Sequence, residues 1–129
     1  GGSTPSCQTY TVLENALTAL STTEDIVLFN LSARAKISGV NVKHSQAFTG
    51  GALTAMTVSV GDSSSPTFYS SAFDIFQPTG SVAMQDTDGF KSSTSAARDV
   101  LARFTATGAN VADATSGSLD VAVCWAVMP

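Results

Sequence analysis

Ser118-Leu-Asp-Val-Ala-Val-Cys-Trp-Ala-Val-Met128 decides the fold of this 129-residue chain. Leu119, Val121, Val123, Trp125 and Val127 fall at every second position. That is the period of a β-strand with five large apolar side chains on one face. Between them lie Asp120, Ala122, Cys124 and Ala126, which are mostly small and uncharged. One large apolar face and one small, nearly neutral face predict a strand covered on both sides. The segment points to a packed β-sandwich and carries no catalytic group.

Working outward, Ser116-Gly117 leads into this strand. Before it, residues 96–104 are open to two readings. Ala, Arg and Leu favour helix there, and Val100, Leu101 and Phe104 share helical spacing. As a strand, Val100, Ala102, Phe104 and Ala106 share one face, with Leu101, Arg103 and Thr105 on the other. The strand reading is preferred because the surrounding elements are β. Further strands are predicted over 8–13, 25–31, 36–44, 53–60 and 71–76, with another around Val82 and Met84. Residues 15–23 fit either a helical turn or a strand. In 36–44 the alternation slips phase at Gly39, where a β-bulge is expected. Gly50-Gly51 signals a turn, so 36–44 and 53–60 read as a hairpin closed by a loop over 46–51.

Seven to nine strands without βαβ alternation predict an all-β, single-domain antiparallel β-sandwich or jelly roll. Residues 1–8 read as a flexible N-terminal arm and 9–129 as the sandwich domain. At this length roughly two-thirds of the unfolded surface can be buried, enough for a real core. Charged residues make up 12%, against a usual share of about 25%. The polar surface is instead built from 18 Ser and 16 Thr. Such a surface loses little on desolvation and suits subunit contacts.

Net charge is −4, and of the six basic residues only Arg34, Lys36 and Lys43 cluster. A nucleic-acid partner needs a concentrated cationic footprint, so none is expected. No apolar run approaches the roughly 20 residues of a membrane-spanning helix, so no membrane partner is expected. Cys7 and Cys124 would bridge if the terminal strands pair. The preferred reading is two free, buried thiols, because Cys124 sits in a core-like strand. With His44 they cannot complete a zinc site without carboxylates, and no cofactor or metal is expected.

His44 is the sole histidine. No G-x-S-x-G elbow or triad partner accompanies it, so a strand-end polar contact is expected rather than catalysis. Asp86-Thr-Asp-Gly89 resembles the start of a calcium loop, but Ala97 stands where an EF-hand needs Glu. Asp74, Asp86 and Asp88 supply no defined carboxylate pair. Asn30-Leu-Ser32 is a formal glycosylation sequon overlapping a strand end. Among the aromatics, Trp125 and Phe73 read as core. Phe68 and Tyr69 follow a Ser/Pro loop and are the candidates for an exposed contact.

The runs Ile37-Ser-Gly-Val-Asn-Val-Lys-His-Ser-Gln-Ala-Phe-Thr-Gly50, 53–61, 71–76, Arg103-Phe-Thr-Ala-Thr-Gly-Ala-Asn110 and 117–121 carry a resemblance. Over most of residues 10–128 the chain resembles small β-rich virion structural proteins of tailed DNA bacteriophages, those of capsid decoration, head fibres and tail parts. The resemblance implies a non-enzymatic protein at the particle surface. It further implies a homotrimer that contacts the major capsid protein or other virion proteins, most naturally as a decoration (cement) protein. A receptor- or glycan-binding module of a tail or head fibre is the alternative. The shared motifs are strands, bulge glycines and turns, and they bring no active-site residues with them. The arm over 1–8 is the expected strand-adding or lattice-contacting segment.

Overall fold

A computed structural model describes residues 6–32, 35–63, 65, 67–76, 80–83 and 97–127. Of these, Ser6, Lys36, Ser38, Gly80–Ala83, Arg98 and Val127 are described by backbone alone. Among the described residues eight strands run in chain order: β1 (Ser6–Leu13), β2 (Thr23–Leu31), β3 (Ala35–Thr49), β4 (Ala55–Gly61), β5 (Ser70–Asp74), β6 (Gly80–Ala83), β7 (Arg98–Thr107) and β8 (Ser116–Val127). Two short 3-10 turns, Glu14–Ala16 and Val111–Asp113, precede β2 and β8.

The strands form two antiparallel four-stranded sheets, ordered β1-β8-β3-β6 and β2-β7-β4-β5. The pairs β1·β8, β2·β7, β3·β6 and β4·β5 nest inside one another. Eight strands nested in this way over two sheets make a jelly roll. The expected all-β sandwich is therefore observed.

β8 alternates as its sequence requires. Leu119, Val121 and Val123 are fully buried between the sheets, while Asp120, Ala122, Cys124 and Ala126 are half-buried on the outer face. Each fully buried aliphatic contributes about 1.5–3 kcal/mol by burial. Opposite them lie Val100, Ala102, Phe104 and Ala106 of β7, all buried. The strand reading of this segment holds, because four inward positions at period two outweigh a modest helical propensity.

β3 is the longest strand, and its pairing with β8 shifts between Ile37 and Gly39, leaving Ser38 as the extra residue. Ala35 and Ile37 face the core before the shift, and Val40, Val42 and His44 after it. The bulge thus lies where the phase of the sequence slips.

Two expectations are corrected. β3 and β4 are not a hairpin: β3 pairs with β8 and β6, and β4 with β7 and β5, in opposite sheets. The chain does reverse at Gly50-Gly51, where Gly51 has φ 47° and the Leu53 N–H donates to the Gly50 carbonyl (2.9 Å). A jelly roll uses this reversal to cross between sheets. The sequence reading also placed Ser6, Cys7 and Gln8 in an N-terminal arm, yet they are ladder residues of β1, opposite Trp125, Cys124 and Val123.

The connections β1–β2, β3–β4 and β7–β8 gather at one end of the sandwich. Backbone N–H groups of Ala106, Val111 and Thr115 donate to the carbonyls of Thr22, Ser21 and Thr49 (2.7–2.9 Å). The Glu24 carboxylate accepts from the Thr18 and Ala19 N–H groups, both at 2.9 Å. These bonds satisfy loop backbone that burial would otherwise penalise. Beside them the Phe48 ring lies flat against Gly117 (φ 148°), where any Cβ would overlap the ring.

Candidate interaction surfaces

β8 brings its small face to the outside of the first sheet. Register sets Cys7 and Thr9 of β1 on one side of it and Gly39 and Asn41 of β3 on the other. Cys7, Thr9, Thr11 and Asn41 are exposed, and Ala122, Cys124 and Ala126 are half-buried. The surface is low, with no large side chain among these positions. Asp120 lies within it, and the Thr11 Oγ1 hydroxyl donates to its carboxylate (2.7 Å).

Cys7 and Cys124 occupy directly opposed positions and form a disulfide, with Cα atoms 4.1 Å apart. The free-thiol preference is thereby corrected. Alternation along β8 sends Cys124 to the outer face, away from the core that holds its neighbours Val121 and Val123. The nesting of the jelly roll then brings the first strand beside the last.

The cysteine Cα distance also orients the free edge of β1. Opposed antiparallel residues alternate between hydrogen-bonded pairs about 5.5 Å apart and non-bonded pairs about 4.5 Å apart. Cys7–Cys124 belongs to the closer kind. The β1·β8 register runs without a shift from Ser6 to Leu13. The main-chain groups of Cys7, Thr9, Thr11 and Leu13 therefore point away from β8.

Inside the sandwich, beside that edge, three aromatics from three strands meet. Tyr10 of β1 stacks on Phe29 of β2 (centroids 5.3 Å, planes 3° apart), and Phe29 packs against Trp125 of β8 (4.8 Å, 30°). All three are half-buried. Burial raises the Tyr10 hydroxyl above its ordinary pKa. The sequence pattern places Trp125 in the core but does not single out Phe29. The bulge in β2 at Leu28 is what turns Phe29 inward, and no glycine marks it.

The outer face of the second sheet differs. Arg103 of β7 clamps Asp25 of β2 with two bonds, Nε to Oδ1 at 2.7 Å and Nη2 to Oδ2 at 2.9 Å. These hydrogen bonds hold the Asp25 carboxyl below its usual pKa against the opposing effect of burial, and raise that of Arg103. The Asn30 amide donates to Asp99 (3.1 Å). This bond occupies the sequon's side chain. Val27 is 56% exposed between these groups.

Tyr69 is 1% exposed and Phe68 half-buried, with the two rings edge to face at 5.1 Å. Tyr69 is core, contrary to its reading as an exposed contact, because the Tyr69 N–H bonds the Val60 carbonyl (2.9 Å) and turns the ring inward. His44 is also core rather than a strand-end contact: it is fully buried, edge-on to Phe73 at 5.3 Å. Asp86, Asp88 and Met84 lie outside the described residues. Among the described residues no three His, Cys, Asp or Glu gather at metal-binding distance, and no helix is long and apolar enough to cross a membrane.

No protein-family model and no curated protein matches the chain. Solved structures do. A chain in the capsid asymmetric unit of cyanophage Pam1 superposes with a TM-score of 0.70 at 23% identity, covering 98% of this chain and 87% of that one. A chain of the Ralstonia phage GP4 capsid does so with a TM-score of 0.70 at 15% identity, covering 98% and 86%. The fold is shared with two phage-capsid chains. At these identities the likeness is one of fold. A chain of the acid-stable capsid of Helicobacter pylori bacteriophage KHP30 aligns over 95% of this chain at 14% identity, with a TM-score of 0.39.

Proposed function

We propose that this chain is a non-enzymatic structural protein of a bacteriophage virion, and that it decorates the head shell as a cement protein. The observation that carries the reading is the match of 98% of the chain to jelly-roll chains from two phage capsids. The sequence resemblance to virion structural proteins points the same way. Chemistry of the surface agrees with it. A low face of Thr, Ala and Asn sheds water at small cost. The mechanism is mechanical: contacts to neighbouring shell proteins and to other copies add to those the shell makes itself, and oppose its rupture.

The test adds purified protein to shells that lack it. Saturable binding at fixed lattice positions in cryo-electron microscopy, with a raised temperature of shell rupture, is the expected result. Absence from the shell lattice in whole particles would overturn the reading. Removal of residues 1–5 asks whether an arm contributes, since that truncation spares both Cys7 and the β1 ladder. Native mass of the free protein decides whether the trimer implied by the resemblance exists. The glycan-binding alternative loses Tyr69 as its contact, because that ring is core.

A further inference from the structure

The four edge strands of the sandwich are unequal. Edge strands offer unpaired N–H and C=O groups, and proteins blunt them by shortness, bulges, charge or proline. β6 has four residues, and β5 has five with a register shift opposite it. β2 has nine, but it is bulged at Leu28 and carries Glu24 and Asp25. β1 uses none of these devices. Its eight residues, Ser-Cys-Gln-Thr-Tyr-Thr-Val-Leu, include no charge and no proline and stay in unbroken register. Among the described residues, β8 is its sole strand partner.

We propose that a second copy of this chain adds its own β1 antiparallel to this edge, joining two four-stranded sheets into one across a two-fold axis. Three observations favour a second copy over a partner of different chemistry. An uncharged strand pairs with itself without like-charge repulsion and offers a charged partner no complement. The outward main-chain groups of Cys7, Thr9, Thr11 and Leu13 form an alternating row, which an antiparallel copy of the same row matches. Tyr10, Phe29 and Trp125 lie half-buried just inside this edge and would be covered further by the added strand. The disulfide holds β1 to β8, so the incoming strand adds to β1 instead of displacing it. The contact is two-fold, where the resemblance to virion proteins implies a three-fold one. It does not depend on the virion reading.

Sedimentation of the free chain over a micromolar dilution series tests the proposal, with amide hydrogen exchange read in parallel. The expected result is a dimer whose Thr9 and Thr11 amides become protected as concentration rises. Thr9→Pro removes an outward N–H and leaves the bonds to β8 intact. It should weaken the dimer roughly tenfold to a hundredfold, since each copy loses a bond. Thr9→Lys keeps the backbone, places like charges near each other across the axis, and makes association salt-dependent. It serves if the proline variant does not fold. Leu20→Ser, at a loop residue 85% exposed, should leave the dimer unchanged. A monomeric or trimeric wild-type chain would overturn the proposal. So would a dimer insensitive to both Thr9 variants, or one abolished by Leu20→Ser.

Discussion

β1 and β2 are each the first strand of a sheet, and each pairs along one side with a strand from the far end of the chain. They are held in different ways. β1 is uncharged, unbulged and bonded covalently to β8 through Cys7–Cys124. β2 is bulged at Leu28 and tied to β7 by the Asp25–Arg103 ion pair and the Asn30–Asp99 hydrogen bond. The charged, irregular edge is secured by its side chains and discourages further strands. The neutral, regular edge relies on a cross-link for security and remains open to pairing. Attachment to one's own sheet and availability to another chain are therefore separable properties of an edge strand.

The largest expected effect is on the β1 side. Replacing both cysteines by serine should cost about 4–5 kcal/mol of stability, since the bond closes a loop spanning 117 positions. Urea unfolding measures it, and reductant should shift the midpoint of the wild-type chain equally. An unchanged midpoint would mean that the ladder alone holds β1. Next comes the ring that links the two edges. Phe29→Ala should cost about 2 kcal/mol, below the usual core figure because the side chain is half-buried. Combined with Tyr10→Ala, the two losses should fail to add by about 0.5–1.5 kcal/mol, the coupling of a stacked pair.

The β2 side should respond less. Asp25→Asn or Arg103→Met should cost about 0.2–1 kcal/mol, because both partners are about one-third exposed and solvent screens the pair. The pH dependence follows from the lowered Asp25 pKa. The pair's contribution is complete above the ordinary carboxylate range and is lost as pH falls through the depressed folded value. Thermal melts of wild type and Asp25→Asn should converge as the pH is lowered in that direction. The smallest effect is Asn30→Ala, within about 0.5 kcal/mol as for other surface polar contacts.

Single strands were legible because alternation is local. The β8 and β7 segments display their inner faces in their own residues, and Gly39 marks the slip that becomes a bulge. Partnership between strands was not legible in this way. Gly50-Gly51 announces a reversal of direction, but the same turn serves a hairpin or a crossing between sheets. The disulfide depends on the register of two strands at opposite ends of the chain, which no neighbouring residue reports. Tyr69 was misplaced because its polar surroundings in sequence conceal a backbone bond to Val60 that folds the ring under. Phe29 was missed because its run is apolar on both faces, so period alone could not say which side the bulge would turn inward.

The Cys7–Cys124 bond has one more consequence. It closes the chain from Cys7 to Cys124 into a covalent ring. One protease cut anywhere between these residues opens the ring without producing a second molecule. The strands on both sides of the nick stay tethered and at high local concentration, ready to re-form their pairings. Releasing a fragment takes two cuts, or one cut and a reductant.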